Sequence, residues 1–168
     1  MTEKIFMNKV ADEGDILSVF LSLLDETKVD YCVIGGLAVN AYCEPVVSLD
    51  LDVVVVAEAI DNLVKSAERM FTIKRFSRSI NLESPASDLR IQLQTDPSYQ
   101  DFINGAEKKM VLGYEMKVAD LEDVLKGKLW AYSDEKRRRS KRQKDLADIF
   151  RLVESHPYLN NLLPDSIK

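Results

Sequence analysis

Apolar residues at Leu17, Phe20, Leu21 and Leu24 follow the i, i+3, i+4, i+7 spacing of one helical face, which predicts a helix over 13–27. An apolar run at 31–34 predicts a short strand, halted by Gly35-Gly36. A short helix over 37–42 follows, closed by the Glu44-Pro45 turn. Residues 49–56 read as a β-branched strand, and Ile60, Leu63, Val64 and Ala67 mark one face of a second amphipathic helix. Short strands are expected at 71–76 and 79–83, then a turn at Ser84-Pro85-Ala86-Ser87-Asp88. Strict alternation over 89–95 sets Leu89, Ile91 and Leu93 on one face and Arg90, Gln92 and Gln94 on the other. The pattern next predicts a helix over 98–108, a strand over 110–118 broken at Gly113, and a helix capped by Asp120 that carries Leu121, Val124 and Leu125. The last long helix covers about 140–154, with Leu146, Ile149, Phe150 and Val153 as its stripe. The layout is α/β: one domain over 1–168, with an α/β core over about 1–118 and a helical C-terminal segment over about 119–168.

Composition narrows the class. Of 168 residues, 46% are hydrophobic and 30% charged, with only 6 Gly and 5 Pro, which excludes a disordered or collagen-like chain. The longest purely apolar run, 53–57, is far short of the roughly 18 residues of a membrane span. The first nine residues hold no extended apolar stretch of a secretory signal. Cys32 and Cys43 lie in apolar surroundings without metal-ligand spacing, so a reduced, cytoplasmic chain is expected. His156 alone gives a catalytic triad or a zinc site little to build on. Trp130 and Phe150 sit on helical faces and are expected in the core.

Charge is distributed unevenly. The chain has 23 basic and 28 acidic residues, a net −5. Seven basic residues and no acidic one fall within 136–144, leaving sixteen against 28, or −12, on the rest. The basic run is either a solvated helix start or a surface for phosphates.

Asp50 and Asp52 carry the strongest chemical signal. In a strand, residues i and i+2 share a face, roughly 6–7 Å apart, and Leu49, Leu51, Val53 and Val55 take the opposite one. Two carboxylates on one face repel unless a cation lies between them. Hard oxygen ligands of this kind suit Mg²⁺, singly or as a pair of ions for phosphoryl-type transfer. A strand edge charged against aggregation is the other reading of the pair. Gly35-Gly36 ends one strand and opens a helix, leaving backbone N–H groups to face an anion that glycine lets approach.

Gly35-Gly36-Leu37-Ala38, then thirteen residues between Gly36 and Asp50, and Ser48-Leu49-Asp50-Leu51-Asp52 resemble the nucleotidyltransferase fold of the DNA polymerase beta-like superfamily. Within it the chain is similar to small bacterial AbiEii-type nucleotidyltransferase proteins. Two further blocks extend the resemblance: Leu121-Glu122-Asp123-Val124-Leu125-Lys126-Gly127-Lys128-Leu129-Trp130-Ala131 and Lys144-Asp145-Leu146-Ala147-Asp148-Ile149. The resemblance implies a mixed β-sheet flanked by helices, with Mg²⁺ or Mn²⁺ on Asp50 and Asp52. It implies a nucleoside triphosphate contacted by Gly35, Gly36, Ser48, Lys128 and Lys144. The implied reaction transfers a nucleoside monophosphate to a hydroxyl of RNA, protein or a small molecule. The residues Arg137, Arg138, Arg139, Lys141 and Arg142 would then face an RNA, tRNA or protein acceptor.

Lys128 sits at the margin of an apolar stripe, where an ammonium wants an anionic partner or snorkels to solvent. Asp145 and Asp148 would orient Lys128 or, as the simpler expectation, pair with Lys141 and Lys144 at i+4 spacing.

Two positions depart from the family's pattern. Its third carboxylate falls on Gln92, which takes up no proton near neutrality, with Asp88 and Asp96 flanking that strand. An arginine common two residues before the Ser of the aspartate block is here Val46. A nucleotidyltransferase and a catalytically impaired binding or regulatory module, such as one member of a toxin–antitoxin pair, are therefore both compatible with the residues.

Overall fold

The computed structural model describes residues 15–168. The start of the helix expected over 13–27, and the N-terminal stretch read for a signal, lie outside the described residues. Helix α1 (Ile16–Thr27) begins at Asp15, whose carboxylate accepts from the Ser18 N–H and from Ser18 Oγ at 2.7 Å. Its buried face is Ile16, Leu17, Phe20, Leu23 and Leu24.

Strand β1 (Tyr31–Ile34) leads into α2 (Gly35–Val39), and the chain returns as β2 (Asp50–Val55). Helix α3 (Ile60–Ala67) precedes β3 (Thr72–Arg75), β4 (Ser79–Glu83) and β5 (Arg90–Gln94). A run of 3₁₀ turns over Pro97–Gly105 leads to β6 (Glu107–Val111) and β7 (Tyr114–Val118), and then α4 (Leu121–Ser133) and α5 (Arg139–Ser155) close the layout. The seven strands form one sheet in the order β3-β4-β5-β2-β1-β7-β6. It is mixed: β2 runs antiparallel to β1 and parallel to β5, and β1 runs parallel to β7. All four residues of β1 are buried, as its central place requires. No helix among the described residues is long and apolar enough to cross a membrane.

Three sequence expectations need correction. The 98–108 segment is not an α-helix. Asp96 caps a 3₁₀ run by accepting from Ser98 N–H and Oγ, and the chain has already entered an edge strand by Glu107. The segment 110–118, expected as one strand broken at Gly113, is the end of β6, a turn at the expected break, and β7, the two strands forming a hairpin. Leu112 and Gly113, both at positive φ, form its two-residue turn, as a type I′ connection demands. The buried face of α5 is Asp145, Asp148, Ile149 and Leu152, so Phe150 is 41% exposed rather than in the core. Burying two acids turns the helix away from its purely apolar stripe, because a cation waits on α4.

Trp130 does pack inward: it stacks on Phe102 at 5.4 Å and meets Tyr99 edge-on at 5.1 Å. Gly127 faces this aromatic group, with Phe102 and Tyr99 each 3.5 Å from where a Cβ would stand. His156 follows α5 and donates from Nε2 to the Tyr42 carbonyl at 2.7 Å. Cys32 and Cys43 are free thiols, and burial pushes that of Cys32 up to about 12.

Candidate functional site

The alternation of β2 places Leu51 and Val53 in the core and leaves Asp50 and Asp52 on the opposite face. There they floor a cavity of about 110 Å³ between the sheet and the C-terminal helices. Its wall includes Gly35 from the β1–α2 turn, Gln92 from β5, Lys128 from α4 and Lys141 from α5. Gly35 has φ +72, and a Cβ on it would collide with Asp52 Oδ2, so glycine is required twice over at this point. A Cβ on Gly36 would lie 3.3 Å from Ser48 Oγ and 3.8 Å from Lys144 Nζ. Gly35 and Asp52 therefore meet at one spot, and Gly36, Ser48 and Lys144 beside it. Ser48 is buried and its Oγ donates to the Asp50 carbonyl at 3.2 Å.

The parallel pairing of β2 with β5 aligns Asp50 with Arg90 and Asp52 with Gln92. Gln92 therefore stands beside Asp52, facing the same cavity, at the position where the resemblance implies a third acid. Asp96 lines the adjoining groove rather than this cavity; its Oδ1 accepts from Ser98 N–H and Oγ, and the Ser98 backbone N–H lowers its pKa. Asp88 is exposed in the preceding loop. Arg90, which carried no role in the sequence reading, donates from Nε to Asp50 Oδ1 at 3.0 Å. Its only sequence signal is its parity with Gln92 along β5. Burial pushes the Asp52 carboxyl up to about 6; the positive charge of Lys128 pulls against this rise and the repulsion of Asp50 adds to it. Among the described residues no group of three or more His, Cys, Asp or Glu side chains gathers to hold a metal.

Lys128 is almost fully buried, its Nζ 3.1 Å from Asp145 Oδ1 and 2.9 Å from Asp148 Oδ2. Burial alone would lower its pKa, but the two carboxylates outweigh that and raise it. The simpler expectation for these acids, pairing with Lys141 and Lys144, is therefore wrong. Each instead takes a second partner, Arg137 at 2.7 Å for Asp145 and Arg151 at 2.9 Å for Asp148. Arg151, also missed from sequence, continues to the Glu44 carbonyl at 2.6 Å and to Asn40 Oδ1 at 3.1 Å. Asn40 in turn holds both backbone groups of Val46, which fixes the loop that delivers Ser48 and Asp50.

The basic segment divides. Arg137 lines the cavity and Arg142 donates to the Tyr132 carbonyl at 2.8 Å, whereas Lys136, Arg138 and Arg139 are exposed. A second groove of about 290 Å³ adjoins the first and shares Gln92, Gln94, Tyr99, Ala131 and Arg137 with it. The first cavity alone is smaller than the roughly 300–1,000 Å³ of a small-molecule pocket. The two together extend a phosphate-sized hole into a cleft.

A family profile described as "Nucleotidyl transferase AbiEii toxin, Type IV TA system" matches residues 33–168. The chain belongs to the AbiEii nucleotidyltransferase family. No curated protein sequence matches it. Solved structures similar to this AbiEii-family chain share its fold at low identity. One is of the antibiotic-resistance factor ANT(2'')-Ia in complex with adenylyl-2''-tobramycin, with TM-score 0.61, 16% identity, and coverage of 83% of this chain and 87% of that one. Another is of a lincomycin-bound lincosamide antibiotic adenylyltransferase, with TM-score 0.56, 14% identity, and coverage of 81% and 93%. A third, a putative nucleotidyltransferase from Thermotoga maritima, has TM-score 0.52, 15% identity, and coverage of 89% and 96%. The mixed sheet of the AbiEii-family chain thus has the fold of these nucleotidyltransferases.

Proposed function

We propose that the cleft binds a nucleoside triphosphate with a divalent cation and transfers the nucleoside monophosphate to an acceptor hydroxyl. The observation that carries this reading is that Asp50 and Asp52 line one cavity, Asp52 against the Cβ-free surface of Gly35, with cationic side chains in the same lining. Asp50 and Asp52 would hold the cation, Mg²⁺ or Mn²⁺. The donor chemistry fits: Asp52 is a desolvated carboxylate beside a second one, and among the described residues no ion pair to a basic side chain engages its oxygens, so they are available to a hard cation. When bound, the cation supplies charge neutralisation on the phosphates.

The chain's own groups do the rest. Gly36 lets Ser48 and the Lys144 ammonium close in on its backbone beside the cavity, where they would meet a phosphate held at Gly35. Lys141 adds charge at the cavity wall. Lys128 adds its positive field from behind and holds α5 in place through Asp145 and Asp148. Tyr99 and Trp130 line the adjoining groove and offer apolar faces to the base or the acceptor. The exposed Arg138 and Arg139 give a polyanionic acceptor such as RNA phosphates to bind.

Gln92 beside Asp52 favours a second reading, a nucleotide-binding module of a toxin–antitoxin pair that transfers slowly or not at all. Loss of a general base costs about two to four orders of magnitude in rate. The test is transfer of label from each α-³²P-labelled NTP onto total RNA or protein with Mg²⁺ or Mn²⁺. Label that accumulates with wild type and falls at least about 100-fold with Asp50→Asn/Asp52→Asn supports transfer. Equal labelling by both proteins removes it.

A further inference from the structure

If a cation sits on Asp50 and Asp52, the neighbouring side chains determine how many ions the site can take. Asp50 already has a cation: the Arg90 guanidinium lies 3.0 Å from its Oδ1, held there by the Asp50–Arg90 register of the parallel β2–β5 pair. The next position in register, opposite Asp52, is Gln92, a neutral amide. Asp96 is tied to Ser98, and no third acid joins the pair among the described residues. A second dication would thus find one remaining oxygen of Asp50 and a neutral amide, with a guanidinium repelling it. Hard divalent ions are held chiefly by charged oxygens.

We propose that this cleft takes a single divalent cation, and that Arg90 serves as the second positive charge, paired with Asp50. The inference rests on the cation-binding reading above and adds its stoichiometry and a positioning residue. Arg90 and Asp50 are both partly exposed, 48% and 32% for the side chains, so their pair is a weak competitor that an incoming ion can share. The guanidinium lowers the site's affinity for the ion without closing it.

The test counts bound Mn²⁺ by the EPR signal of the free ion, using the whole chain and MnCl₂ alone. Wild type binds one Mn²⁺, and Asp50→Asn/Asp52→Asn binds none. Arg90→Gln still binds one, but about two- to fivefold more tightly, the range expected for removing an exposed ion pair. Arg90→Lys, which keeps the charge, stays near wild type. Arg90→Gln/Gln92→Asp binds two. Circular dichroism of each variant checks that it is folded. Two ions on wild type, or an Arg90→Gln affinity equal to wild type, overturns the one-ion inference and leaves the cation reading standing. Equal Mn²⁺ binding by wild type and Asp50→Asn/Asp52→Asn overturns both.

Discussion

Replacing Lys128 with methionine removes the ammonium that joins α4 to α5 while keeping the length and apolar stem of the side chain. Two buried carboxylates then lose a shared partner, the side chains of Asp145 and Asp148 being only 1% and 3% exposed. Breaking a buried ion pair by removing one member costs about 3–5 kcal/mol. Asp145 keeps Arg137 and Asp148 keeps Arg151, which places the loss at the low end, about 3 kcal/mol. For a chain of this size each kcal/mol moves Tm by about 2–4 °C, so Lys128→Met melts about 6–12 °C lower. The pKa of Lys128 is raised in the folded protein. Its contribution is therefore complete below the unfolded value, about 10.4, and is lost as pH rises through the higher folded value. The gap between wild type and variant should hold from pH 6 to 9 and close only in strong alkali. Thermal unfolding followed by circular dichroism measures it. A drop of less than about 2 °C at pH 7 would refute the reasoning and leave Lys128 free to serve a ligand alone.

Asp52 has the opposite linkage, because its folded pKa is raised from 3.8 to about 6. The stability it permits is present below its unfolded pKa and is lost as pH rises through about 6, so at pH 8 the ionised group destabilises the metal-free fold. Two pH units correspond to about 3 kcal/mol at most. Asp52→Asn should then melt above wild type in EDTA at pH 8, match it near pH 4, and lose its advantage when Mn²⁺ is added. Gly35→Ala introduces a methyl group against the Asp52 carboxylate at φ +72, costing about 1–2 kcal/mol from the backbone alone. Calorimetry should show at least tenfold weaker Mn²⁺ binding, a larger effect than its change in Tm. Arg138→Glu/Arg139→Glu leaves Tm unchanged, both residues being exposed. It should reduce the slope of log K against log salt for RNA binding by about 1.4 in a filter assay.

Much of this architecture could be read along the chain, for identifiable reasons. The alternation over β5 sorted Leu89, Ile91 and Leu93 inward because that strand is buried on one face only. Gly35-Gly36 and the aspartates meet because β2 returns antiparallel beside β1, pairing Ile34 with Asp52 after α2 and the loop that Asn40 holds, so consecutive elements decide it. The misread segments are those where tertiary partners overrode periodicity. Tyr99, Phe102 and Ile103 have helical spacing, yet the Asp96 cap, Pro97 and the nearby edge strand make 3₁₀ turns of them. Likewise Leu146 and Phe150 looked like a core stripe until Asp145 and Asp148 turned inward toward Lys128. Arg90 and Arg151 were invisible as site residues because their partners, Asp50 and Asp148, meet them only through strand register and helix packing.

The central claim is that Asp50 and Asp52 hold the cation of a bound nucleotide. Calorimetric titration of each NTP with Mn²⁺ into wild type and into Asp50→Asn/Asp52→Asn tests it most directly. Binding of at least one NTP to wild type, weakened at least about 100-fold in the folded double variant, is the predicted result. Equal affinity of both proteins for every NTP would contradict it.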